Sequence, residues 1–150
     1  MKEVKNKIKR MKPLVTTRKI ERDIEAMRLQ ELRNEKTQAM KELKRYESLY
    51  IAGIDKINTE RQSPNRTQLK ALEDSVDHCK SKWYDQIRKL REIEIQEKSQ
   101  IAQLVTAETG LKSMEKLQEK YQENLATLQR SSEQKETDET AIRMHQNKRF

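Results

Sequence analysis

The stretch LEDSVDHCKSKWYDQ, residues 72 to 86, gathers the residue types that do chemistry. It holds the chain's only cysteine, its only tryptophan and one of its two histidines. A thiol next to an imidazole suggests a nucleophile with its base, or two ligands of a metal. A metal would need further ligands, and the other histidine, His145, is far away in sequence. A thiol nucleophile would need a base held opposite it, and none is identifiable. The chain contains no Gly-rich phosphate loop, no HExxH, no CxxC and no Ser/His/Asp arrangement. Acid pairs such as Glu73–Asp74 and Asp138–Glu139 occur as often as a charged helix surface requires. The expectation is a protein that is not an enzyme and carries neither cofactor nor metal.

Binding is the other kind of chemistry, and charge points to it. Residues 1 to 22 contain nine Lys/Arg against two Asp/Glu, whereas the whole chain has a net charge of +8. Lys5, Lys7, Lys9, Arg10, Lys12, Arg18 and Lys19 form the heart of this basic end, with Lys2 and Arg22 at its limits. Nucleic acid, an anionic membrane or an acidic protein could be its partner. No aromatic is interleaved, as a nucleic-acid surface would favour. Val4, Ile8, Met11 and Val15 give too thin a stripe for a membrane-surface helix. An acidic protein surface is therefore the expected partner, set against a merely solubilising charged end.

The elements that must position these residues are helices. Charged residues make up 39% of the chain and apolar residues 33%, with two glycines and two prolines among 150 residues. That composition suits long helices with a narrow apolar seam more than a compact core. From Leu69, steps of three and four meet Leu72, Val76, Cys79, Trp83, Gln86, Leu90, Ile93, Glu97, Gln100, Leu104, Ala107, Leu111, Met114, Gln118, Tyr121, Leu125 and Leu128. Fourteen of these 18 positions are apolar. A sustained 3.5-residue period specifies a left-handed coiled coil. Cys79 and Trp83 are thus expected in the seam, with His78 on its flank.

The preceding segment shows the same spacing through Leu29, Leu32, Lys36, Ala39, Leu43, Tyr46, Tyr50, Gly53 and Ile57. Upstream, Ile20, Ile24 and Met27 stand in a different phase, which predicts a local change of winding near residue 28. The breaker ERQSPNRTQ, residues 60 to 68, offers Ser63 with Pro64, or Asn65 with Gln68, as the start of the second helix. The fold expected is all-α, a long two-helix antiparallel coiled-coil hairpin forming a single domain over residues 1–150. Helix 1 spans about 3–60, the turn about 61–66 and helix 2 about 67–140, with a frayed C-terminal tail anchored only by Ala141, Ile142, Met144 and Phe150. In this register Gly110 falls near Pro13, where irregularity is expected. Leu43, Tyr46, Leu49 and Tyr50 put four bulky residues within eight positions, more than one facing helix covers, so part of that patch is a candidate anchor.

The layout resembles the FliJ family, the coiled-coil stalks of flagellar type III export, and their injectisome relatives of the YscO kind. RMKPLVTTRKIERDIEAMRLQEL is similar to the family's opening, and LKRYESLY to its leucine followed by two tyrosines four apart. LKALEDSV looks like the start of its second helix, and SEQKETDETAIR resembles its closing pattern. An aromatic often found early in the family's second helix is missing, where Gln68 and Leu69 stand.

The resemblance implies a cytoplasmic protein peripherally associated with the inner-membrane export apparatus. Its implied partners are a hexameric type III export ATPase, a membrane protein of the export gate and the export chaperones. It implies that the basic end meets the ATPase and that Leu43, Tyr46 and Tyr50 meet the gate, with no nucleic acid and no direct membrane insertion. The alternative is a coiled-coil chaperone or nucleic-acid-associated accessory protein using the basic end. A third reading is a piece of a larger tethering coiled coil.

Overall fold

A computed structural model describes residues 1–62 and 65–148. Two α-helices account for nearly all of them: α1, Lys2–Glu60, and α2, Arg66–Asn147. Both are rich in Glu, Lys, Gln, Leu and Arg, which lose little side-chain freedom in a helix. α1 passes through Pro13 without interruption, although that residue removes one backbone donor and crowds the carbonyl four residues back. α2 continues past residue 140 to Asn147.

The helices end for identifiable reasons. Past Glu60, Arg61 N–H still donates to the Ile57 carbonyl at 3.0 Å, while Gln62 N–H donates to Thr59 at 3.2 Å, a tightening to three-residue spacing. Asn65 starts α2. Its side-chain Oδ1 accepts from Thr67 N–H at 3.2 Å and its backbone carbonyl from Leu69 N–H at 2.9 Å, which is N-capping. Asn65 is one of the two starts that the sequence offered. The other, Ser63 with Pro64, lies outside the described residues, as does the expected tail anchor Phe150.

The chain forms two compact units. The first comprises residues 1–24 and 104–150, the second residues 25–103. In the first, Lys7 lies over the ring of Tyr121, and Gly110 faces Arg18. In the second, Glu25 meets Gln100, Lys36 meets Glu97, Tyr50 stacks on Trp83 and Gly53 abuts Val76. Partner numbers fall as α1 numbers rise in each unit, so the helices run antiparallel. The fold is the long two-helix coiled-coil hairpin.

The seam is regular in both helices. On α2 every expected position from Leu69 to Leu125 is buried or half-buried, among them Leu72, Val76, Cys79, Trp83, Leu90, Leu104 and Leu111. Leu128, expected to continue it, is exposed. On α1 the three-four spacing runs unbroken from Val4 through Ile8, Met11, Val15, Arg18, Arg22, Glu25 and Leu29 to Glu60.

The expected phase change near residue 28 therefore does not occur. Ile20 is 55% exposed and Met27 64% exposed, and Ile24 is exposed as well. Arg18, Arg22 and Glu25 hold the seam instead, half-buried. Long polar side chains can lay their methylene stems in a seam and keep the charge at its edge. Gln100, 7% exposed, receives Glu25 by donating from Nε2 to its carboxylate and to its backbone carbonyl. The expected pairing of Gly110 with Pro13 is likewise corrected: Gly110 faces Arg18, five residues farther along α1, and neither helix breaks there.

Candidate functional site

The basic end lies on the first turns of α1. Lys5, Lys9, Lys12 and Lys19 recur at i, i+4, i+7 and i+14 and so stripe one face of the helix, while Lys7 and Arg10 lie off that stripe. Lys5, Lys7, Lys9, Arg10, Lys12 and Lys19 are all exposed. Below them Val4, Ile8, Met11 and Val15 occupy the seam, and Met11 and Val15 are buried. Lys7 reaches back across the seam, its Nζ 5.6 Å from the centre of the Tyr121 ring, a cation–π contact that settles one of the charges on α2. Arg18 differs from the rest. It is half-buried, paired with Glu21 at 3.3 Å, and its guanidinium lies over Gly110, 3.7 Å from where a Cβ there would sit.

The tyrosine patch lies in the second unit. Leu43, Tyr46 and Tyr50 are half-buried seam residues, and Leu49 is the exposed member of the four. Tyr50 stacks on Trp83 at 6.1 Å and 24° between ring planes, so the tryptophan of the opening stretch is the partner of this patch. Tyr46 is dressed from its own helix. Arg45 donates to its hydroxyl at 3.2 Å, lies 4.9 Å over its ring and pairs with Glu42 at 3.0 Å. The nearby Glu42 carboxylate, and after it the Tyr46 hydroxyl, raise the Arg45 pKa above its ordinary value. Sequence reasoning missed Arg45 and Glu42. The signal was present as the i, i+3 spacing of opposite charges beside an aromatic.

His78 and Cys79 part company in the fold: His78 is exposed, and Cys79 is half-buried in the seam. Among the described residues, no group of three or more His, Cys, Asp or Glu side chains is placed to hold a metal ion. No helix among them is long and apolar enough to cross a membrane. The concavities beside the helices are shallow surface troughs, such as the one lined by Asp77, Lys80, Tyr84 and Ile87. This geometry can present surfaces to partners: a stripe of lysines with flanking cations in the first unit, and aromatic and aliphatic anchors in the second.

Comparison with known proteins agrees with this architecture. The family model described as the flagellar FliJ protein matches residues 7–150. No curated protein and no solved structure matches the chain. A match over nearly the whole hairpin, from the basic turns of α1 to the last residue, shows that the chain belongs to the flagellar FliJ family.

Proposed function

We propose that this chain is the non-enzymatic central-stalk component of bacterial type III protein export, stimulating the hexameric export ATPase through its basic end. Family membership supplies the setting. The observation that carries the rest is the makeup of the first unit, where the cation-bearing start of α1 packs beside the C-terminal half of α2. That places a dense, exposed positive field on a two-helix end, suited to an acidic pore lined by ATPase subunits. The second unit offers a different chemistry, with Leu43, Tyr46 and Tyr50 beside exposed Leu49. We assign it to the membrane protein of the export gate, and we take the export chaperones to be further partners. The stalk works on the cytoplasmic side, held at the inner-membrane apparatus by these contacts.

The test is ATP hydrolysis by the cognate export ATPase across a range of stalk concentrations. Several-fold stimulation near stoichiometric ratios is expected. Reversing Lys5, Lys7, Lys9, Arg10 and Lys12 to Glu should abolish it while binding to the export gate persists. Unchanged hydrolysis in the presence of the folded wild-type chain would refute the ATPase assignment.

A further inference from the structure

The outer side of α2 in the second unit carries a second stripe, separate from the seam. Lys80, Tyr84, Ile87 and Arg91 follow one another at steps of four, three and four, so they line one side of the helix. With Asp77, Ser81 and Arg88 they enclose a trough of about 580 Å³. Its floor is Tyr84, 49% exposed, and Ile87, half-buried. Tyr84 is not loose: its ring leans on Trp83 at 5.7 Å and 31°, and Trp83 in turn stacks on Tyr50. An aromatic anchor held this way loses little freedom on binding.

The walls of the trough are positive. Its lining holds Lys80, Arg88 and Arg91 against Asp77. Arg88 is engaged by Asp85 at 2.8 Å, but among the described residues Lys80 and Arg91 have no ion-pair partner. Two uncompensated cations thus stand at either end of an apolar floor that runs along the helix axis.

We propose that this trough docks an acidic amphipathic helix from a partner protein. The apolar residues of such a helix, at i, i+3 or i+4, and i+7, would lie over Tyr84 and Ile87, with carboxylates meeting Lys80 and Arg91. The separation of Lys80 and Arg91, eleven residues at about 1.5 Å each, matches about three turns of such a helix. A second copy of this chain is a poorer occupant, because a self-complementary contact through this face would set Lys80 and Arg91 against like charge. Single-stranded nucleic acid fits less well too, since among the described residues Tyr84 is the one exposed tyrosine or tryptophan ring, and two Asp flank it. This surface is independent of the ATPase assignment.

The test uses the full chain and fluorescence anisotropy with a labelled amphipathic peptide of about 20 residues, leucines at three-four spacing and Glu on its flanks. A peptide with Lys in place of Glu and an oligothymidine serve as comparisons. The Glu peptide should bind at least tenfold more tightly than the Lys peptide and weaken as salt rises. Tyr84→Ala and Arg91→Glu should each lower its affinity about tenfold, and Met27→Ala, on the outer side of α1, should leave it unchanged. Arg91 is exposed and is not a seam position, so Arg91→Glu decides the matter if Tyr84→Ala disturbs the fold. The proposal is overturned if the Glu peptide does not bind, if Arg91→Glu binds it as the wild type does, or if oligothymidine binds this face more tightly. Self-association of the chain that Arg91→Glu abolishes would overturn it equally.

Discussion

Each helix carries one glycine in its interior, and alanine should have opposite effects at the two. In a helix interior glycine is about 1 kcal/mol less favourable than alanine, so both substitutions begin with that gain. At Gly53 a Cβ would lie 2.5 Å from Val76 Cγ2, far inside van der Waals contact. Val76 is buried, and a β-branched side chain in a helix has one strongly preferred χ1, so it cannot swing aside cheaply. Overfilling a packed site costs about 1–3 kcal/mol. Gly53→Ala should therefore be destabilising by up to about 2 kcal/mol once the propensity gain is set against that cost. At Gly110 the nearest atom to a new Cβ is Arg18 Nη1 at 3.7 Å, an ordinary contact. Gly110→Ala should keep most of its gain of about 1 kcal/mol. Each kcal/mol moves Tm by about 2–4 °C in a chain of this size. Thermal and urea melts followed by circular dichroism at 222 nm, the helix band, give the comparison. A Val76→Ala background should erase the Gly53→Ala penalty, a coupling that independent sites would not show. If Gly53→Ala melts at or above Gly110→Ala, the inference that helix-to-helix approach at Val76 fixes Gly53 is wrong.

Three further outcomes are expected. Asn65→Ala removes the cap of α2 and should lower stability by about 1 kcal/mol, with Asn65→Ser close to the wild type, both read by urea denaturation. Gln100→Leu should destabilise by about 1 kcal/mol because it removes the donor from one oxygen of the half-buried Glu25 carboxylate, leaving only Arg28 on the other; Glu25→Leu with Gln100→Leu should melt above the wild type, since an apolar layer replaces a polar one. Alanine at Tyr46 and Tyr50 should weaken binding to the export gate measured by pull-down; Tyr50→Ala should also lower Tm through its lost stacking on Trp83, and a gate contact unmoved by both would refute the assignment.

The α2 seam was legible because a three-four spacing sustained over many turns has one physical reading. Cys79 and Trp83 fell into it without any appeal to their reactivity. α1 was half legible. From Leu29 onward its apolar positions mark the seam, but from Arg18 to Glu25 the seam positions are charged and the apolar residues are elsewhere. A reading that follows hydrophobicity goes to Ile20, Ile24 and Met27 and infers a change of winding. Two facts that no single helix reveals decide against it. Gly110 opens room opposite Arg18, and Gln100 offers a donor opposite Glu25. Each is a property of the facing helix, so the register had to be known before the charged positions could be recognised as interior. The same holds for the sites. The exposed lysines needed only their own helix to be found, whereas Tyr50 acquires its setting from Trp83 across the seam. Where a surface belongs to one helix, sequence finds it; where it is assembled from two, pairing must come first. The apolar residues that the seam declines at Ile20, Ile24 and Met27 are then the outward face of α1, because Arg18 over Gly110 and Glu25 on Gln100 hold the interior there at lower cost than a break in the three-four register.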